Sequence, residues 1–162
     1  MTQTIELKRV DYTNAQQAAD LKALLNDYAQ DPMGGGHALD AATLETLPEK
    51  LANFPTAFSV IAYVDKQPAG LINCFVGFST FAAKPLVNIH DVTVRPDFRG
   101  LGLSKKLLAA VEAIAKEKGC CKLTLEVLSN NTVAMKAYEK VGFAGYELDP
   151  EAGHAVFWQK EI

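Results

Sequence analysis

The chain has 162 residues, 49% of them apolar, and a formal net charge of −3, which is length and apolar content for one globular domain with a sizeable core. It carries no long basic run, so nucleic acid and an anionic membrane surface are excluded as expected partners. No stretch approaches the roughly 20 apolar residues of a transmembrane helix, and "MTQTIELKRV" lacks a charged region followed by an apolar core, so a cytoplasmic protein is expected.

Residues 5 to 10 alternate as an opening strand. Thr13 with Gln16 fits a capping box, and Leu21, Leu24, Leu25 and Tyr28 recur at the spacing of one buried helical stripe. The helix stops at "DPMGGGH", and residues 31 to 39 read as a mobile loop. Asp40 can cap a second helix, broken or restarted at Pro48 and finished near Phe54. "FSVIAYV" (58–64), the turn "DKQPAG" and "LINCFVGFST" (71–80) make a hairpin, and a further strand runs from Val87 to Val94. A helix then reaches about Lys118, with Leu107, Leu108, Val111, Ile114 and Ala115 on one face and Gly119 at its end. "CKLTLEVL" alternates as a strand. Asn131 or Ser129 opens a short helix with Ala134, Ala137, Tyr138 and Val141 on its apolar face. "FAGYEL" and "HAVFWQKEI" read as a closing antiparallel pair around "DPEAG". The cysteines at 74, 120 and 121 form neither a disulfide framework nor a paired metal-ligand spacing; they read as buried thiols in strands, and no metal is expected.

The stretch "RPDFRGLGLSKKLL" (95–108) places two glycines between a strand and a helix, where free backbone N–H groups point outward and an anion fits. Arg95, Arg99, Lys105 and Lys106 against Asp97 give +3 over the twelve residues 95–106, in a chain whose total is −3. A P-loop needs Gly-Lys-Ser/Thr after four intervening residues, and a dinucleotide fingerprint needs a third small residue where Lys105 stands, so neither applies. A sharp strand-to-helix turn with a purely structural use for its glycines is the competing reading.

Arg99, Gly102 and Ser104 at the spacing Arg-x-x-Gly-x-small, with "NNTVAMKAYEKVGF" about thirty residues on, resemble the GNAT superfamily of acetyl-CoA-dependent N-acetyltransferases. The order of elements is similar over nearly the whole chain, which implies a single α/β domain (1–162) with a mixed, mostly antiparallel sheet. The resemblance implies that backbone amides of Arg99, Gly100, Leu101, Gly102, Leu103, Ser104 and Lys105 hold the coenzyme A pyrophosphate. Ser104 departs from the usual Gly or Ala but is small. The pantetheine arm is expected along "HDVTV", bonded to backbone around Val92, Thr93 and Val94, with Asn131 touching the coenzyme.

Acetyl transfer to an amine needs a place for the coenzyme, polarisation of the thioester carbonyl, a neutral amine, and a proton for the leaving thiolate. Tyr138 stands at the family's general-acid position, although periodicity alone makes it a core aromatic; Asn131 is equally a plain helix cap. His90 and Asp91 are the candidate bases, and a strand's period of two puts them on opposite faces unless a bulge intervenes. The segment from Gly77 to Gly102 looks most like the spermidine/spermine and thialysine acetyltransferase branch. That branch tends to carry an acid where His90 stands, which weakens the case for a polycationic acceptor. Asp31, His37 and Asp40 lie where the family's first two helices cover the acceptor.

The expected function is direct acetyl transfer from acetyl-CoA to a primary amine of a small molecule, with no metal and, by family habit, as a homodimer to which Phe81 and Trp158 contribute. Three alternatives stay open: a protein or peptide acceptor, a catalytically silent acyl-CoA-binding module, and a nucleotide-binding protein of another fold.

Overall fold

Two runs rich in β-branched and aromatic residues pair as the hairpin their alternation predicts. In the computed structural model, which describes residues 2–146 and 148–162, they are strands β2 (Ala57–Val64) and β3 (Gln67–Ser79). Only Asp65 and Lys66 connect them, at φ of 49° and 69°. This is the two-residue turn whose twist suits a hairpin, tighter than the six-residue turn expected. Strand β1 (Ile5–Arg9) pairs antiparallel with β2, β4 (Lys84–Val94) antiparallel with β3, and β5 (Leu123–Leu125) parallel with β4. The sheet is therefore mixed and mostly antiparallel, in the order β1-β2-β3-β4-β5.

Helices α1 (Ala15–Gln30) and α2 (Ala41–Ala52) bury Leu21, Leu24 and Leu51 against Ile61, Tyr63 and Leu71 of β2 and β3. Helix α3 (Leu103–Glu117) packs on the sheet with Leu103, Leu107, Leu108, Val111 and Ala115 buried. It is the crossover that a parallel β4–β5 pair requires. Each fully buried Leu, Ile or Val contributes roughly 1.5–3 kcal/mol, so these layers hold the sheet in place.

The chain divides into one unit running to Leu128 and a second from Ser129 to Ile162. The second contains α4 (Thr132–Lys140) and a one-turn 3-10 helix, Pro150–Ala152. No helix among the described residues is long and apolar enough to cross a membrane.

Several expectations are corrected. The cap of α1 is Asn14, one residue later than Thr13, and its side chain accepts from Gln17 N at 3.0 Å; the Gln17 side chain accepts from Asp11 N at 2.8 Å and not from the amide of the cap, so no reciprocal box closes. Residues 31 to 39 are tied down by a 3-10 turn, by His37 N on Ala29 O (3.1 Å) and by Leu39 N on the Asn26 side chain (2.8 Å), so the triple glycine sits in a pinned loop. Helix α2 runs through Pro48 unbroken, because burial of Pro48 and Leu51 outweighs the one hydrogen bond proline forgoes. Asp40 precedes it without a side-chain cap bond. Of the cysteines only Cys74 is a buried strand thiol; Cys120 and Cys121 lie in the α3–β5 connection, and Cys121 is exposed. The closing antiparallel pair is not formed: among the described residues no strand follows β5. "DPEAG" folds as the 3-10 turn instead of a short hairpin link, and residue 147 of the first expected strand lies outside the described residues.

Candidate active site

The register of β3 on β4 carries the site. Asn73 faces Asp91 and Cys74 faces Ile89, so His90 is an extra residue on β4, a bulge. The strict alternation that would send His90 and Asp91 to opposite faces is broken there. His90 Nδ1 lies 3.3 Å from Asp91 Oδ2, long for a hydrogen bond between charged partners but close enough to couple them. The His90 side chain is 64% exposed and that of Asp91 20%. The Asp91 carboxylate raises the His90 pKa above its ordinary 6.5 through that hydrogen bond and its charge, with Glu126 adding to the effect and partial burial opposing it. The imidazole also meets the Phe75 ring edge-on, centroids 5.6 Å apart, and Phe75 meets Phe54 likewise at 5.6 Å.

Beyond Ile89, β4 loses its second neighbour. It pairs with β5 only at Val87, Asn88 and Ile89, and among the described residues no strand lies beside Asp91, Val92, Thr93 and Val94 on that side. This edge presents backbone donors and acceptors to an extended ligand chain.

The edge runs into the glycine turn. Arg95 does not join a phosphate cluster: its Nε binds Asp27 at 2.8 Å and its Nη1 the Pro68 carbonyl at 3.0 Å, so it anchors the loop to α1 and β3. After a 3-10 turn at Pro96–Phe98, Gly100 and Gly102 adopt φ of 85° and 73°, the left-handed region that an L side chain enters only at a cost of about 1–2 kcal/mol. Gly102 is the N-cap of α3 and supplies no side-chain cap, and the first helical bond runs from Lys106 N to Gly102 O at 3.1 Å. The amides of Leu103, Ser104 and Lys105 thus have no partner within the helix, at its positive end. A Cβ at Gly100 or Gly102 would meet nothing within 4 Å, so both glycines border open space. Arg99 is exposed, with Nη2 4.0 Å from Asp31, and Lys105 in the first turn of α3 is exposed too.

A model of the Acetyltransferase (GNAT) family matches residues 20–143. The chain belongs to this family. It is 30% identical over 101 residues to a thialysine N-epsilon-acetyltransferase of Caenorhabditis elegans, a match covering 62% of either chain. It is 32% identical over 124 residues to a glucosamine 6-phosphate N-acetyltransferase of Trypanosoma brucei brucei, covering 69% of this chain and 79% of that one. The chain thus spans less than two thirds of the worm relative's length. Among solved structures, the aminoglycoside N-acetyltransferase AAC(6')-Iy bound to a bisubstrate analogue superposes with a TM-score of 0.78 at 19% identity, over 98% of this chain and 99% of that one. This last likeness shows the GNAT fold.

The remaining GNAT-motif residues, Asn131 and Tyr138, lie in the second unit. The Asn131 side chain accepts from Ala134 N at 3.2 Å and so caps α4. Tyr138 is half-buried, its ring edge-on to Phe143 at 5.9 Å, so the packed role read from periodicity is partly filled.

Three residues at the site escaped the sequence reading. Asn73 and Ser59 are polar side chains inside apolar strands, 5% and 1% exposed, and the signal was their interruption of "LINCFV" and "FSVIAYV". Tyr28, read only as helix stripe, has its pKa raised by burial first and then by the Asp91 and Asp31 carboxylates.

Proposed function

We propose that this GNAT protein transfers the acetyl group of acetyl-CoA directly to a primary amine of a small molecule, with residues 1–162 acting as one acetyltransferase domain. The observation that carries this reading is the β4 bulge, which couples His90 and Asp91 beside an unpaired strand edge leading into an open glycine turn. In this reading the amides of residues 99 to 105 hold the pyrophosphate, and the edge at Val92, Thr93 and Val94 holds the pantetheine.

Neutral His90 takes a proton from the substrate ammonium through water, and Asp91 stabilises the imidazolium formed. The free amine attacks the thioester carbon, forming the C–N bond. Collapse breaks the C–S bond, and the departing sulfur takes up a proton as the new amide nitrogen sheds its second one; resemblance to the family assigns the proton donor's role to Tyr138. Similarity to enzymes named for thialysine, glucosamine 6-phosphate and aminoglycosides supports a small amine as acceptor. Phe78 and Phe81, 63% and 91% exposed near the β3–β4 turn, offer apolar area for a homodimer.

Coenzyme A thiol release from acetyl-CoA, measured across polyamines, thialysine, amino acids, aminoglycosides and lysine peptides, tests the proposal. Release that depends on a small amine is the expected result. Tight acetyl-CoA binding with no release for any amine would replace it with a silent binding module, and release with peptides alone would move the acceptor to proteins.

A further inference from the structure

Ser59, Asn73 and Asp91 stand side by side on β2, β3 and β4, since Ser59 pairs with Asn73 and Asn73 with Asp91. Their side chains form one continuous row. Tyr12 OH is 2.8 Å from Ser59 Oγ, Ser59 Oγ donates to Asn73 Oδ1 at 2.6 Å, Asn73 Nδ2 donates to Asp91 Oδ2 at 3.0 Å, and His90 Nδ1 meets that same oxygen at 3.3 Å.

The direction of every bond follows from chemistry. A carboxylate only accepts, so the Asn73 amide nitrogen faces Asp91 and its oxygen faces Ser59. The Ser59 hydroxyl hydrogen is then committed to Asn73, which leaves its lone pair for the Tyr12 O–H. Burial raises the Tyr12 pKa, keeping the phenol protonated as that donor. The row conducts no proton, because an amide does not pass one on at ordinary pH; it orients. Burying the Ser59 and Asn73 side chains in an apolar sheet costs free energy unless both are satisfied, and no buried side-chain polar atom among the described residues lacks a partner.

We propose that Asn73, itself held by Ser59 and Tyr12, is a positioning residue that fixes the Asp91 carboxylate on the His90 imidazole. The proposal rests on the reading of His90 as the base. Around the pair, Tyr28 on α1 and Cys74 on β3 feel the Asp91 carboxylate, and His90 also feels Glu126 after β5. Burial and Asp91 hold the Tyr28 phenol and the Cys74 thiol neutral, the latter pushed up to about 12, so the further charge acting on His90 is that of Glu126.

The chain has three histidines, His37, His90 and His154, so an NMR titration with His90→Gln as the assignment control reads His90 directly. It is run on the wild type, Asn73→Leu and Tyr12→Phe, beside kcat/KM as a function of pH. In Asn73→Leu the Asp91 carboxylate is free to turn away. The His90 titration is then expected to fall toward its ordinary value, the acidic limb of the rate profile to move down with it, and kcat to drop about 3- to 10-fold at unchanged KM for acetyl-CoA. Tyr12→Phe should move both in the same direction by less. A His90 titration that stays in place in Asn73→Leu overturns the proposal. A titration that moves without the rate limb upholds Asn73 as positioning the pair and overturns His90 as the base. Should Asn73→Leu fail to fold, Ser59→Ala carries the same expectations and the same overturning result.

Discussion

In β2 and β3 the apolar side chains are sealed, with Val60 2%, Ile61 0% and Leu71 0% exposed, whereas Val156, Phe157 and Trp158 in the C-terminal segment are 72%, 72% and 84% exposed. Both regions alternate. The first has a two-residue turn, a strand on each flank and a helical layer; the second has a three-residue 3-10 helix at its turn and, among the described residues, no ladder. A strand pattern becomes a strand only when the turn geometry and the neighbours are supplied, because an isolated pair is marginal in water. The candidate catalytic groups follow the same division. Asp91 accepts from Asn73, whose own oxygen accepts from buried Ser59, while Tyr138 sits on a nine-residue helix with no buried residue.

The two largest expected effects fall one in each unit of the chain. Gly102→Glu puts a carboxylate at the helix N-terminus, where it opposes a phosphate. Acetyl-CoA affinity, read by calorimetry, should fall about 100-fold or more, roughly 3 kcal/mol. The open space around Gly102 leaves only the left-handed backbone cost, so the protein should stay folded. Unchanged affinity would return the turn to a structural role. Next is Tyr138→Phe, which should lower kcat about 10²- to 10³-fold while leaving coenzyme affinity in place. A normal rate would make Tyr138 a packing residue against Phe143 and confine the chemistry to the sheet. The smallest effect sharpens the contrast itself: in urea denaturation, Leu107→Ala should cost about 2–5 kcal/mol and Trp158→Ser less than about 0.5 kcal/mol. Comparable losses would show that the C-terminal segment buries a core of its own.

Much of the first unit was legible because its signals are local. The stripe of α1, the face of α3 and the alternation of β2 and β3 are set by side-chain spacing along one element. Left-handed glycines at a strand-to-helix junction likewise mark a turn with free amides, whatever lies around it. The cap of α1 lies one residue beyond the Thr13 that the pattern suggests, since Thr13 and Asn14 are both good caps and the Thr13 hydroxyl is taken by Asp11 while Asn14 accepts from Gln17 N.

What the sequence by itself determined was the mixed sheet with its helical layers, the glycine turn and the short list of ionisable residues beside it, all consequences of periodicity and turn chemistry. Whether His90 and Asp91 meet was decided only by the tertiary structure, because a bulge is a property of the register between two strands. The same holds for the row from Tyr12 to Asp91, whose members lie 14 to 47 residues apart along its first links and meet only through cross-strand pairing. It holds too for Arg95, which the sequence counted toward an anion site and the fold gave to Asp27, 68 residues away.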